Sequence, residues 1–411
     1  VSRPVRKDFG VVFEHIDQVI HDLTWHEYLI DANRLLRAKP IDSAIRGHYG
    51  PEVLRTMKKM LEDVAAGDVA AQNVFEKSMN HLRTGVTVAF LGWNTMTSLM
   101  QPLGLTQSIV RVGPKWIGKG LARWLGDAAS MENTATWINE RSEFMRLRGM
   151  TLQREISEIR NRISNKLSVV EASYFWLIQA MQKVADIPTW LGAYEKAMSE
   201  NRDEATAIAL ADQAVLDSQG GGQIKDLAQI QRGSPLLKLF TNFYSYFNTT
   251  FNLAAERTGQ TNFRDPLAVG RLAVDYLMLY SVPAVLGALI RSALKGDLDD
   301  ADALAKKLIA EQITYLLGTM VGLREFSAAV GGSMGYEGPA GTRFFSEVAK
   351  LSKQVAQGEA DGALLKALNS TAGIFLHYPA LQVQHTVEGM VALERGETNN
   401  PGVLLAGPPK R

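Results

Sequence analysis

The first residues with chemical potential lie near the start of the chain, where His15, Asp22, His26 and Asn33 recur at i, i+7, i+11 and i+18. On a helix this spacing aligns them as a polar stripe. Two histidines and a carboxylate are ligands for a divalent metal, but residues two turns apart reach a common ion only if a second helix adds ligands. They are therefore read as a hydrogen-bonded interface stripe, with no metal and no other cofactor assigned. His26-Glu27 opens the pattern of a zinc peptidase, but Ile30 stands where its second histidine would be needed. Gly113-Pro114-Lys115-Trp116-Ile117-Gly118-Lys119-Gly120 follows the phosphate-cradling loop up to its last position, where Gly120 replaces the hydroxyl that would ligate magnesium. Trp116 also crowds a loop that must present bare amides. Gly331-x-Ser333-x-Gly335 has the spacing of a nucleophile elbow, a device that requires a strand leading into a helix. Asp299, Asp300 and Asp302 sit at a helix start, where they offset the dipole rather than catalyse. No catalytic residue is assigned, and a structural or interaction protein is the better class.

Non-covalent contacts are the remaining chemistry. Residues 140–166 read as one charge-dense helix whose arginines, among them Arg141, Arg146, Arg148, Arg154, Arg160 and Arg162, outnumber the interleaved acids. A solvated face is the plain reading, and a local phosphate-contacting strip is the sharper one. Trp116 and Trp124, interleaved with Lys115, Lys119 and Arg123, have the composition of an interfacial helix or of a core helix with a wet rim. Phe240, Phe243, Tyr244, Phe247 and Phe251 make an aromatic stripe at i, i+3, i+4, i+7 and i+11, suited to a core or to a partner or membrane contact.

The elements that must carry these groups are helices. Spacing of i, i+3, i+4, i+7 recurs almost throughout and strand alternation is nearly absent, so the fold class is all-α, an elongated multi-helix assembly of two helical subdomains. The first helix is predicted over 8–37, with Val12, Ile16, Val19, Leu23 and Ile30 on one face; Asp42 is expected to cap the second. Residues 84–110 carry no charge and are long enough to cross a bilayer, but Asn94, Gln101, Gln107, Gly92, Pro102 and Gly104 favour a pair of short buried helices. Pro188 is expected to punctuate the chain. Gly220-Gly221-Gly222 is read as the boundary between a helical region 1–219 and another over 223–398. Within the second, residues 276–290 are an uncharged run too short to span but able to tilt or snorkel into a bilayer. Residues 399–411 are read as a flexible tail.

The 411 residues balance 44 Lys and Arg against 43 Asp and Glu, for a net charge of +1, which excludes a general polyanion-binding surface. With 46% hydrophobic and 21% charged residues, and a mean hydropathy of −0.07, the chain is neither wholly disordered nor an ordinary multi-span membrane protein. Absence of cysteine removes disulfides, thiolate metal sites and cysteine nucleophiles. Because Val1 rather than Met comes first, the chain is read as a portion of a longer polypeptide whose missing segment is N-terminal.

Several phrases resemble the helical C-terminal regions of very large bacteriophage polypeptides that are packaged in the virion and ejected with the genome. They are Arg3-Pro4-Val5-Arg6 with the run 20–33, then Trp190-Leu191-Gly192-Ala193-Tyr194, Ala211-Asp212-Gln213-Ala214-Val215, and 225–232 leading into 239–248. The resemblance covers about the first 260 residues; beyond Phe263 only the texture is similar. It implies an internal virion protein that leaves the capsid, refolds with other phage ejection proteins as a homo-oligomer, and helps form a conduit for DNA across the host periplasm and inner membrane. Arg154, Arg160 and Arg162 would then contact DNA in transit, and Trp116, Trp124, Phe243, Phe247 and Phe251 a partner or the membrane. The absence of cysteine and the wealth of local helical contacts suit a chain that crosses an oxidising periplasm and refolds fast. The alternative is a soluble antirestriction or packaging accessory domain acting through protein partners.

Overall fold

A computed structural model describes residues 10–67, 74–126, 131–150, 173–221, 226–232, 238, 239, 241, 244–296, 306, 308–310, 312, 313, 340–357 and 361–409, and every regular element among them is helical. The chain is all-α. Its helices are α1 Gly10–Arg37, α2 Lys39–Tyr49, α3 Pro51–Ala66, α4 Val74–Leu91, α5 Thr95–Met100, a 3-10 turn Gln101–Gly104, α6 Leu105–Val112, α7 Pro114–Gly126, α8 Met131–Arg141 and α9 Glu143–Met150. They continue as α10 Trp176–Ser199, α11 Glu204–Gln219, α12 Ser245–Gln260, α13 Pro266–Lys295, α14 Ala340–Gln357, α15 Gly362–Leu376, α16 Ala380–Glu394 and α17 Val403–Ala406.

Local chemistry sets the ends of these helices. Asn94, Asp203, Asp265 and Asp361 each accept a backbone N–H of the first turn that they cap. Asp42 does not cap α2 as expected. It lies in the first turn with Pro40 ahead of it, and pairs with Arg46 one turn on, which holds its carboxyl below the usual range. Residues 140–166 are not one helix. Ser142 interrupts it, its hydroxyl accepting the Met145 N–H at 2.9 Å to start α9. Pro188 lies inside α10 rather than at its end.

The centre of the molecule is α10, against which α5, α6, α7 and α11 pack. Its residues 185–193 are all buried, including Trp190 at 0% exposure. Close packing here depends on absent side chains. A Cβ on Gly120 of α7 would lie 2.3 Å from the Pro188 carbonyl oxygen, and one on Gly192 would lie 2.5 Å from that of Trp116. The glycines of the phosphate-loop-like stretch therefore serve a helix crossing: Gly113, at φ +108°, ends α6, and Gly120 lets α7 touch α10.

A second core forms where α4 meets α14, α15 and α16, around Leu82, Val86, Ala89, Phe90, Ile374 and Ala380. The boundary expected at 220–222 therefore does not divide the chain into an N-terminal and a C-terminal body, because α4 is enclosed by helices from the far end of the chain. Nor is 399–411 a flexible tail over its described residues. Val403 is fully buried, Thr386 Oγ1 donates to the Leu404 carbonyl at 3.1 Å, and the Asn400 side chain donates to the Leu294 carbonyl at 3.0 Å. By contrast, among the described side chains of α1, α2 and α3 only Leu36, Leu54 and Val64 are buried apolar residues, and the α1 face of Val12, Ile16, Val19, Leu23 and Ile30 stands open.

Candidate functional site

The uncharged run 276–290 is the middle of a longer helix. The 30-residue α13 is long and apolar enough to cross a membrane by length and composition, although the uncharged run alone is not. Asp265 caps it, Pro266 occupies its first turn, and near its middle Leu277–Ser281 widens into a π-turn. The Val282 N–H there bonds the Leu277 carbonyl, five residues back, just before Pro283 removes a donor from the ladder. The wider turn gives the proline ring room that an α-turn denies it.

The two halves of α13 differ. Leu279, Tyr280, Pro283, Ala284, Gly287, Ala288 and Ser292 are buried, and Leu279 and Tyr280 cluster with Val110, Leu253 and Ala254. All of these lie beyond Met278, whereas residues 266–278 include none that is buried, with Leu267 at 72%, Val274 at 57% and Leu277 at 55% exposure. Only a third of its most apolar stretch is covered by the rest of the chain. Nineteen residues separate Arg271 from Arg291, about 28 Å of helix and close to the ~30 Å of a hydrocarbon core. Asp275, the one charge between them, is 3.6 Å from Arg257 of α12.

The other residues singled out in the sequence have separate fates. Residues 84–110 run through the end of α4, α5, the 3-10 turn and α6, with Val88, Ala89, Phe90, Ser98, Thr106, Gln107, Ser108 and Val110 buried; they form short buried helices. Trp124 is a core residue at 8% exposure, not a surface contact, because its face of α7 meets α10. Trp116 is half-buried with Lys115 and Lys119 within 4.9 and 4.6 Å of its ring. Phe251 is half exposed on α12 and Phe247 is half-buried beside Tyr246, while Phe243 lies outside the described residues. Phe240 of the stripe also lies outside the described residues, and Tyr244 immediately precedes α12, which begins at Ser245.

Arg154, Arg160 and Arg162 lie outside the described residues, as do Ser333 and the Asp299-Asp300 pair. Their neighbours Arg141 and Arg148 have structural partners. Arg141 stacks on Trp137 at 4.2 Å and lies 3.3 Å from Glu204. Arg148 is nearly buried, grips Asp186 of α10 through two bonds of 2.7 and 3.1 Å and donates to the Gly220 carbonyl at 2.6 Å. His15, Asp22 and His26 are exposed on α1. Asp22, His26 and Asn33 line an open groove of about 240 Å³ with His21 and Trp25, closed on one side by Ala65. Among the described residues no group of three or more His, Asp or Glu is placed to hold a metal ion.

Sequence reasoning missed a buried polar web around α10. The Asp212 carboxylate accepts the Trp190 indole N–H at 2.7 Å and the Ser142 hydroxyl at 2.6 Å, and burial pushes its pKa up against the downward pull of those bonds. Thr189 donates to Ser108 at 2.6 Å, Gln219 donates to Ser108 at 2.9 Å and to the Gly104 carbonyl at 2.8 Å, and Gln182 donates to Asp186 at 3.2 Å and to Gln219 at 3.3 Å. The web ties α6, α9, α10 and α11 together rather than opening to a ligand. The only available signal was Gln182, Asp186 and Thr189 at helical spacing within an otherwise apolar segment.

The class defined by these features is an all-α protein with a polar-webbed helical centre and one long, half-open apolar helix. No known family, curated protein or solved structure matches the chain.

Proposed function

We propose that this chain is a non-catalytic structural portion of a phage internal virion protein, ejected with the genome, in which α13 attaches the protein to the host inner membrane beside the DNA conduit. The observation that carries this reading is the open, mostly apolar first half of α13, where Leu267, Val274 and Leu277 stand exposed on either side of Arg271, with Leu286 exposed beyond the π-turn. An apolar surface of this length, left uncovered in water, gains by transfer to lipid at roughly 25 cal/mol for each Å² removed. The sequence phrases in the first 260 residues support the same setting. In this reading α13 binds first by its open half and draws its packed half in once other copies satisfy the polar groups of α12. DNA contact falls to Arg154, Arg160 and Arg162, and the other ejection proteins supply the remaining conduit walls.

Liposome flotation with anionic and neutral vesicles, run beside dye release, tests it. Binding with leakage is expected, weakened by Leu277→Asp with the thermal midpoint unchanged. A protein that stays with the aqueous fraction in both vesicle types overturns the membrane reading. The soluble antirestriction or packaging accessory reading would then stand, and the burial of residues 84–110 is the observation in its favour.

A further inference from the structure

We propose that the projecting end of α1, Val12 to Leu23, pairs with the same segment of a second copy of this chain as a short antiparallel coiled coil. His21 marks where α1 leaves its own fold, its Nε2 lying 2.8 Å from the Val64 carbonyl oxygen near the end of α3. Every described side chain from Val12 through Ile20 is exposed, and Leu23 is 78% exposed. The apolar residues Val12, Ile16, Val19 and Leu23 step by four, three and four, the spacing of a coiled-coil seam, and the exposed Ile20 beside them widens the apolar surface that a pair would cover.

Charge selects a second copy and sets its direction. In a parallel pair, the flanking positions would set Asp22 against Glu27 of the second copy on both sides, two like-charge contacts. In the antiparallel pair, Ile16 meets Val19, Leu23 meets Val12, and Asp22 lies beside His15 of the second copy, where the imidazole can donate to the carboxylate. Both layers are then wholly apolar, and the two folded bodies lie at opposite ends of the pair, clear of each other. About three turns of helix bury less than the ~800 Å² per partner of a stable interface, so the dimer forms in a concentration-dependent way.

Sedimentation velocity on the whole chain, over a concentration series reaching the hundred-micromolar range, is the test. A monomer–dimer equilibrium is expected, weakened at least tenfold by Leu23→Glu and unchanged by Leu277→Glu. Asp22→Lys separates the two directions, weakening the antiparallel pair but strengthening a parallel one by facing Glu27. The chain has no cysteine, so a mixture of Ile16→Cys and Val19→Cys copies should give the disulfide-linked heterodimer on oxidation, with little homodimer of either. A wild-type monomer throughout, association lost with Leu277→Glu instead of Leu23→Glu, or efficient homodimer cross-linking at Ile16 overturns the proposal. The pairing rests on α1 alone, so its failure and a failure of lipid binding by α13 are read in separate assays.

Discussion

Helices α10 and α1 are both long and both rich in apolar residues, yet nine consecutive residues of α10 are buried while α1 buries only Leu36 among its described side chains. The difference lies in what separates the large residues. Between its bulky side chains α10 has Ala185, Gly192, Ala193 and Ala197, so neighbouring helices approach to backbone contact, and its polar residues Gln182, Asp186 and Thr189 find partners on those neighbours. Beyond Gly10, α1 has a single alanine and no further glycine, and it alternates bulky apolar residues with charged ones. Small residues, more than apolar periodicity, mark the helix that its own chain surrounds.

The contrast breaks most visibly at Trp190. Trp190→Ala should cost about 4 kcal/mol in urea unfolding, because it empties a fully buried volume and strips the Asp212 carboxylate of a donor. Arg148→Ala should follow at about 3 kcal/mol by leaving Asp186 buried without its cation, and the pair Arg148→Met with Asp186→Leu should recover most of that loss. Gly192→Ala tests the backbone contact directly; a loss of about 2 kcal/mol in thermal unfolding is expected from overpacking against Trp116.

A smaller effect sits at Asp212. Its folded pKa is raised by burial above the ordinary 3.8, so the folded state holds the proton more tightly than the unfolded state. The stabilisation is therefore full below that ordinary value and is lost as pH rises through the raised one. Asp212→Asn keeps an acceptor for Trp190 and should flatten the pH dependence of the thermal midpoint in that window; an unchanged slope would assign the dependence to other carboxylates. The smallest expected effect sharpens the other side of the comparison: Leu23→Ser on α1 should move fold stability by no more than ~0.5 kcal/mol, as for any exposed site.

Much of the local structure was legible in the residues. The recurrent i, i+3, i+4, i+7 spacing gave the all-α chain, and the first helix expected over 8–37 ends at Arg37, just before Lys39 and Pro40 open α2. The polar character of 84–110 correctly spoke for buried helices, because Gln107 and Ser108 required partners that lipid cannot give. The errors share a cause. The stop read at Pro188, the continuous charged helix through Ser142, the flexible tail and the boundary at 220–222 each depended on distant contacts: the helices packed around α10, Asp212 holding Ser142, α16 holding α17, and α15 lying on α4. The phosphate-like loop, set aside in the sequence because Gly120 replaces a hydroxyl and Trp116 crowds it, serves a helix crossing, a use of glycine that only the packed neighbour reveals.

The order of residues alone dictates that this chain is helical, where most of its helices begin and end, and that its charge and cysteine content suit no general polyanion binder and no disulfide scaffold. These follow from composition and from interactions within one or two turns, which neighbouring residues specify directly. Which apolar residues are covered is settled at the level of packing: α10 sealed over 185–193, α13 open over its first half, α1 left projecting. Burial is a property of helices brought together from far apart in the chain, and it turns on whether a Gly120, a Gly192 or a Gly85 happens to meet a carbonyl on a neighbouring helix.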